Sequence, residues 1–529
     1  MRLYSWLELF KARLRHFSRV NRRGPARRRR PARGFAIERL EDRVLLAAPT
    51  PFDLGAIDGI NGFAFNGEVL DDYHGFSVQS AGDVNLDGFD DLIITSPAHQ
   101  GTQINPTPPP PSFPPEFRGR TYLILGGSNL VTLDGEDGTV DGQIDLANIA
   151  GQGFEITNQS PGLMPDTPQN FDSVEVANAA TITATGVGDM NGDGIADIAI
   201  SQPFGPDDTT PGRGRAYVIW SQTTAFNNAI ASGTFNLASP NLNDTDTTDT
   251  FGRTGIRIRG SQNTAGGTNP IVGSTAGYSI SAAGDIDGDG YDDLIIGEHR
   301  FDENATASRI DHGRAYIVFG KSVGVNNSGG WFDDALVTLG TGGTHSFTIS
   351  TESSEAFDFL GLSVTGIGDI NGDGRDDFAV SAPYASSVIG DGSTGRTYVI
   401  FGGERGSLAG STGSLDGTNG FRIDGATSGD RIGWQISAAG DVNGDGLDDL
   451  VIGAPFADPS GSKVNAGAAY VIFGNTDFSG LTGGILHLRT DLGSGIATRF
   501  EGQYAGDLAG SSVSGGGDID GDGFDDIII

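Results

Sequence analysis

Asp285-Ile286-Asp287-Gly288-Asp289-Gly290-Tyr291-Asp292-Asp293 decides the fold, because its nine-residue pattern returns six times along the chain. Oxygen-bearing side chains stand at positions one, three, five and nine. Position six is glycine in every copy, where a tight turn needs a residue without Cβ. That is the layout of a loop wrapped around a hard, oxygen-seeking cation, and Ca²⁺ is the expected ion.

The copies begin at Asp83, Asp189, Asp285, Asp369, Asp441 and Asp518. Position three is Asn85, Asn191, Asp287, Asn371, Asn443 and Asp520. Position five is Asp87, Asp193, Asp289, Asp373, Asp445 and Asp522. Position nine is Asp91, Asp197, Asp293, Asp377, Asp449 and Asp526. Position seven varies (Phe89, Ile195, Tyr291, Arg375, Leu447, Phe524), as it should where only the backbone carbonyl is a ligand. One Ca²⁺ per loop is expected, up to six. The third and sixth copies carry four Asp each and should bind most tightly on charge count. The expected affinity is in the weak extracellular range, about 10⁻⁴–10⁻³ M.

An EF-hand or dockerin loop would need an acidic ligand at position twelve and a helix after it. Position twelve here is Ile94, Ile200, Ile296, Val380, Ile452 or Ile529. The residues that follow the loop, such as Leu294-Ile295-Ile296, read as a buried strand. The loop is therefore a turn between two strands.

A longer unit repeats around each loop from Pro51 onward. It has a Gly-Phe-x-Ile strand, as in Gly420-Phe421-Arg422-Ile423, and a Gly-x-Ser-Val/Ile element leading to Gly-Asp, as in Gly361 to Asp369. The loop and its strand follow, ending near Gly453-Ala454-Pro455 or Ser381-Ala382-Pro383. Last comes an Ala-Tyr-Val-Ile-Phe-Gly strand, as in Ala469 to Gly474. Four strands per unit, repeated about an axis, make a β-propeller whose sheets bury both faces against their neighbours. Loop-to-loop spacings of 106, 96, 84, 72 and 77 residues leave room for polar insertions at 106–115, 159–172, 239–250 and 263–275.

The Gly-x-Ser-Val element, the Asp-x-Asn-Gly-Asp-Gly-x-x-Asp loop and the Gly-Ala-Pro ending together resemble FG-GAP repeats, the blades of the integrin α-subunit propeller, over about Gly62 to Ile529. The resemblance implies seven blades and a partner-binding face opposite the metal loops. Departures are present. The second copy has Ala179-Ala180-Thr181-Ile182 before its first strand. Gly-Ala-Pro is replaced by Thr95-Ser96-Pro97, Ser201-Gln202-Pro203 and Gly297-Glu298-His299, the last casting doubt on that blade's edge. Six loops but five Ala-Tyr-Val-Ile-Phe-Gly strands are present. The chain is expected to continue past Ile529, and the Gly62–Gly67 strand to close the ring by joining the last blade.

Composition agrees with an all-β fold: 84 Gly and no Cys among 529 residues, hence no disulfide framework and no thiol chemistry. The net charge of −35 is uneven. Met1–Thr50 holds fourteen Lys and Arg against four Asp and Glu, leaving nineteen against sixty-four in the acidic body. That body argues against nucleic acid as a partner. In 1–50, Leu3, Trp6, Leu7, Phe10, Leu14 and Phe17 fall at helical spacing among basic residues, and Arg27 to Arg30 follow. Glu38 to Ala48 resembles the basic leaders ending in Leu-Glu-(Asp/Pro)-Arg-x-Leu-Leu of large exported bacterial proteins. The expected organisation is a leader over 1–50 and a propeller over 51–529.

No His-Glu-x-x-His, Gly-x-Ser-x-Gly or complete Gly-x-x-x-x-Gly-Lys-Ser/Thr pattern appears, so no enzyme is expected within these residues. His99 and His299 read as loop histidines on a solvated rim. Phe204, Phe301, Tyr384 and Phe456 read as caps on the cores between blades. The functional expectation is an exported, calcium-binding adhesion or ligand-binding scaffold, extracellular or on the cell surface. Its partner is a protein or glycan on the face opposite the loops. The alternatives are the propeller of a secreted enzyme with its catalytic part beyond residue 529, and a structural surface or matrix protein. No run of about twenty apolar residues that could span a membrane is present.

Overall fold

The computed structural model describes residues 57–59, 62–67, 74–96, 120–127, 129–134, 141–146, 149–157, 183–203, 214–237, 254–261, 275–302, 311–321, 336–340, 345–351, 358–386, 393–459, 463–492 and 494–529. They belong to one compact unit, Ile57–Ile529. The leader, His99, Phe204 and the Ala179–Ile182 departure lie outside the described residues.

The strands follow the repeat. β1 (Ala64–Asn66) comes first. The first unit gives β2 (Ser77–Gly82), β3 (Asp91–Ser96), β4 (Arg120–Ile124), β5 (Gln143–Asp145) and β6 (Gly153–Thr157). The second gives β7 (Ala184–Gly188), β8 (Asp197–Gln202), β9 (Arg215–Ile219), β10 (Thr234–Asn236) and β11 (Gly255–Arg259). The third gives β12 (Ser279–Gly284), β13 (Asp293–Glu298), β14 (Arg314–Val318), β15 (Leu336–Thr338) and β16 (Ser346–Ser350). The fourth gives β17 (Val364–Gly368), β18 (Asp377–Ala382), β19 (Arg396–Ile400) and β20 (Gly420–Asp424). The fifth gives β21 (Ile436–Gly440), β22 (Asp449–Ala454), β23 (Ala468–Ile472), β24 (Ile485–His487) and β25 (Ala497–Glu501), and the sixth β26 (Ser514–Gly517) and β27 (Asp526–Ile528).

Five antiparallel four-stranded meanders result: β2-β3-β4-β6, β7-β8-β9-β11, β12-β13-β14-β16, β17-β18-β19-β20 and β21-β22-β23-β25. The sixth unit shows the hairpin β26-β27. First strands of successive units, β2, β7, β12, β17, β21 and β26, pack side by side in chain order. That is blade packing in a β-propeller. The second strands of the first five units are buried on both faces, which is why they read as unbroken apolar runs such as Leu294-Ile295-Ile296 and Leu450-Val451-Ile452. Each core lies between two blades. Phe154 and Leu123 of the first meet Ile198 and Tyr217 of the second, and Val399 and Phe421 of the fourth meet Leu450 and Tyr470 of the fifth.

The sequence reading did not anticipate a fifth strand. Between its third and fourth strands a unit reaches back and adds a short parallel strand to the outer edge of the preceding blade: β5 on β1, β10 on β6, β15 on β11 and β24 on β20. The fourth unit makes the same stitch with a single bridge, Ser411 on Ser350. The stitches share an apolar-x-Leu pattern whose apolar residues are buried: Ile144 and Leu146, Phe235 and Leu237, Val337 and Leu339, Leu486 and Leu488. The described partner of β1 is β5, so closure of the ring through β1 stays an expectation. Two short helices, α1 (Asn129–Asp134) and α2 (Thr224–Ser232), lie on the way to β5 and β10. α2 starts at Thr223, whose side chain accepts from Phe226 N, and stops at Gly233, φ 77°.

Candidate metal centres

All six loops join the first strand of a unit to the second and repeat one set of hydrogen bonds. The position-one carboxylate accepts from the backbone N–H of position five (Asp87 N to Asp83 Oδ1, 3.0 Å; Asp522 N to Asp518 Oδ1, 2.9 Å). It also accepts from the position-six glycine (Gly88 N to Asp83 Oδ2, 2.9 Å; Gly446 N to Asp441 Oδ2, 2.8 Å). Position three accepts from the same position-five N–H, and position five accepts from position seven. Position-six glycines have φ between 84° and 94° (Gly194 and Gly523), the left-handed turn read from the sequence.

Position nine is buried in the first five loops. One of its oxygens takes the N–H of position two, as from Val84 to Asp91 at 3.0 Å. The other takes an N–H at the end of the third strand: Gly126, Ser221, Gly320, Gly402 and Gly474 reach Asp91, Asp197, Asp293, Asp377 and Asp449 at 2.8–3.0 Å. Burial pushes these carboxyls up, Asp91 and Asp449 to about 6, Asp197 and Asp377 to about 8, and Asp293 to about 9. Neighbouring loop carboxylates push the same way, and the backbone donors oppose. Such a cluster calls for compensating positive charge. The donor set is entirely oxygen, and ligand atoms of Asp285, Asp287 and Asp289, and of Asp518, Asp520 and Asp522, lie within 4.8 Å of one another. A hard divalent cation fits these groups.

Position eight, which the sequence reading passed over, ties loops together across blades. Asp292 Oδ2 accepts from Asp189 N at 2.7 Å. Asp376, Asp448 and Asp525 do the same to Asp285, Asp369 and Asp441 at 2.8–2.9 Å. The return bond runs from the N–H of position eight to the carbonyl of position one, 3.2–3.4 Å. This closeness explains the glycine before the second, third, fourth and fifth loops. A Cβ on Gly188 would stand 2.1 Å from Asp292 Oδ2, at φ +71°. The position-seven side chain also crosses the seam, with Tyr291 lying over Gly192, Leu447 over Gly372 and Phe524 over Gly444.

The seam between the first two loops is the exception. Position eight of the second loop is Ala196, which lies over Gly82. Position four of the first loop is Leu86, at φ 61° and 61% exposed, where the other copies have glycine. At the later seams a backbone N–H donates to the position-two carbonyl, Lys321 to Met190 and Asn475 to Ile370. Here the Gln222 side chain does so instead, Nε2 to Val84 O at 3.2 Å.

On the opposite face two expectations change. His299 is buried, not solvated. Its ring packs on Tyr278 (4.1 Å between centroids) and Phe359 (5.8 Å), and burial holds its pKa well below the usual histidine value. Glu298, in place of alanine, does not disturb the edge. It keeps register with Arg314, pairs with it at 3.2 Å, and accepts from Ser261 Oγ and Tyr316 Oη. Phe301 is buried, while Tyr384 and Phe456 are half-buried and flank Trp434. Among the described residues no helix is long and apolar enough to cross a membrane.

The FG-GAP repeat family model matches residues 181–219, 276–311, 361–400 and 433–472. The chain is 33% identical over 194 residues to Integrin alpha-PS2 of Drosophila melanogaster, covering 36% of this chain and 12% of that protein. It is 29% identical over 279 residues to Integrin alpha pat-2 of Caenorhabditis elegans, covering 50% and 18%. It is also 32% identical over 194 residues to Phosphatidylinositol-glycan-specific phospholipase D of Bos taurus, covering 37% and 20%. The chain thus spans a fifth or less of these relatives' own length.

Proposed function

We propose, from the premise that this chain is an FG-GAP repeat, integrin α-like β-propeller, that it is an exported scaffold that binds Ca²⁺ in six loops and a macromolecular ligand on the opposite face. The propeller itself fits an adhesion or ligand-binding scaffold. The observation that carries the metal reading is the repeated geometry. Six loops present acidic or amide oxygens at positions one, three and five, set by the same backbone donors, with a carbonyl at seven and a carboxylate at nine that is buried in the first five. These are the residues that would hold the ions, and the ions would neutralise the charge concentrated there. The ligand would be a protein or glycan. The supporting test is an array of glycans and extracellular proteins probed with the purified chain in millimolar Ca²⁺ and in chelator. Calcium-dependent retention on a defined class is expected, and retention indifferent to chelation would refute the coupling of metal to binding.

A second reading rests on the phospholipase D relative. The propeller would then be the non-catalytic partner of an enzyme carried on the same polypeptide. Sequencing the complete natural gene product separates the two: a catalytic domain supports the second reading, and further adhesive modules the first.

A further inference from the structure

The third loop is distinguished by a cation of the protein's own. Arg405 lies in the segment after β19, and that segment is pinned to the loop by Gly403 N donating to Ile286 O at 2.9 Å. Its guanidinium meets both Asp287 and Asp289: Nε bonds Asp287 Oδ2, and Nη2 is 2.7 Å from Asp289 Oδ2. The ring of Phe319 backs it, with Cζ 4.3 Å from the centroid. The other carboxylate oxygens are already committed, because Asp287 Oδ1 accepts from Asp289 N and Asp289 Oδ1 from Tyr291 N. Arg405 therefore holds the two oxygens that the loop's backbone leaves for an ion. Arg375, at position seven of the fourth loop, adds a second guanidinium beside Gly288. Among the described residues no comparable arginine meets positions three and five of the first, second, fourth and fifth loops.

We propose that Arg405 is a built-in competitor for the cation of the third loop. It occupies Asp287 and Asp289 until a divalent ion displaces it, so this loop binds more weakly than its four carboxylates alone would dictate. The inference rests on the metal reading above and deepens it. A guanidinium is always charged and presents a rigid fork, so it competes at every physiological pH. The device gives the third loop a threshold different from those of the first, second, fourth and fifth. Filling that site would release the Arg405 side chain from the loop, while Gly403 N keeps its segment pinned to Ile286 O.

The loop supplies its own reporter. Tyr291 is the tyrosine at position seven, where the other copies have Phe, Ile, Arg, Leu and Phe. Terbium luminescence excited through tyrosine therefore reads this seam in the full chain, Tyr291→Phe identifies the part of the signal that passes through Tyr291, and Asp193→Ala in every background removes the share of the second loop, over whose Gly192 the ring lies. Tb³⁺ titration, with Ca²⁺ back-titration, is to be compared between wild type, Arg405→Ala and Arg405→Gln. Half-saturation about tenfold lower in both variants is expected, from the loss of a charge-assisted pair. Equal affinities in all three, with Tyr291-dependent emission present and displaced by Ca²⁺, would overturn the competitor role while leaving the metal site intact. Absence of any Tyr291-dependent emission in wild type and both variants, each shown to be folded by circular dichroism, would overturn the metal reading itself.

Discussion

Removal of calcium should act on the whole array, and the size of the effect counts the sites. A ligand that binds only the folded state adds RT ln(1 + [L]/Kd), about 2.7 kcal/mol at one hundred times Kd. Once a loop is near saturation, each tenfold rise in free Ca²⁺ adds about 1.4 kcal/mol per site. Six loops with a common fold of backbone donors should together approach about 8 kcal/mol per tenfold if the propeller unfolds as one unit. Because a guanidinium occupies the third loop, the slope should first correspond to five sites and steepen at higher calcium. The assay is urea unfolding across a series of buffered free Ca²⁺ concentrations, followed by tryptophan fluorescence and far-ultraviolet circular dichroism together. Coincident transitions license the single slope, whereas separate ones would each carry the slope of the loops that melt with them. Stability independent of calcium, or an equal response to Mg²⁺, would refute the reasoning. A slope of one or two sites would confine the metal to a subset of loops.

Three further outcomes follow from the seams and the buried carboxylates. Asp292→Ala deletes a charge-assisted bond to Asp189 N and should cost about 1.5–3 kcal/mol, whereas Asp292→Asn, which keeps an acceptor, should cost less; urea unfolding at fixed calcium compares them. At the first seam the reverse change should help. Leu86→Gly relieves a left-handed residue and should stabilise by roughly 1 kcal/mol, and Ala196→Asp should add to it by restoring the bond to Asp83 N; a lower unfolding midpoint for the pair would count against the seam argument. Asp430 is buried beside Asp458, and burial raises its pKa to about 6 although Thr427 N donates to it. A carboxyl raised in the folded state contributes stability at low pH that is lost as pH rises through about 6. Asp430→Asn should therefore stabilise the protein at pH above that value and change little near pH 4, and a pH-independent effect would reject this assignment.

Much of the propeller was legible because its signals are local and repeated. Glycine at position six, alternating oxygen-bearing side chains and an apolar run after position nine all sit within a dozen residues, and each copy reinforces the others. The stitches were legible in principle: Ile144-x-Leu146 and Leu486-x-Leu488 share a pattern. However, they are three residues long, embedded in variable connections, and pair with a strand of the previous unit. The bond of Asp292 is harder to foresee, since its partner lies 103 residues away. The doubled Asp-Asp at positions eight and nine was visible in five copies and read as one ligand plus filler. Arg405 is a single event 116 residues from Asp289, and no periodicity announces it. His299 was misjudged because a histidine after a strand end looks solvent-facing. The neighbouring Tyr278 and Phe359 rings pack on it, and Thr275 Oγ1 lies 3.4 Å from its Nδ1.

The loops are better understood as joints than as ornaments on single hairpins. Position one offers its carboxylate to the site inside its own loop and its backbone N–H to the next blade's Asp, as Asp189 does to Asp292. A cation held by that carboxylate fixes the peptide whose N–H makes the joint, and the joint in turn fixes the peptide that aims the carboxylate. Each of the two would favour the other, so on the proposed reading metal binding and blade packing would be thermodynamically linked at the seams of Asp292, Asp376, Asp448 and Asp525. The seam with Ala196 lacks that link, and there the side chain of Gln222 makes the crossing bond independently of the position-one peptide. If coupling travels this way, mutating the third loop should weaken calcium binding at its neighbours, the second and fourth. Mutating the second should leave the first unmoved, an asymmetry that simple charge repulsion between adjacent loops would not produce.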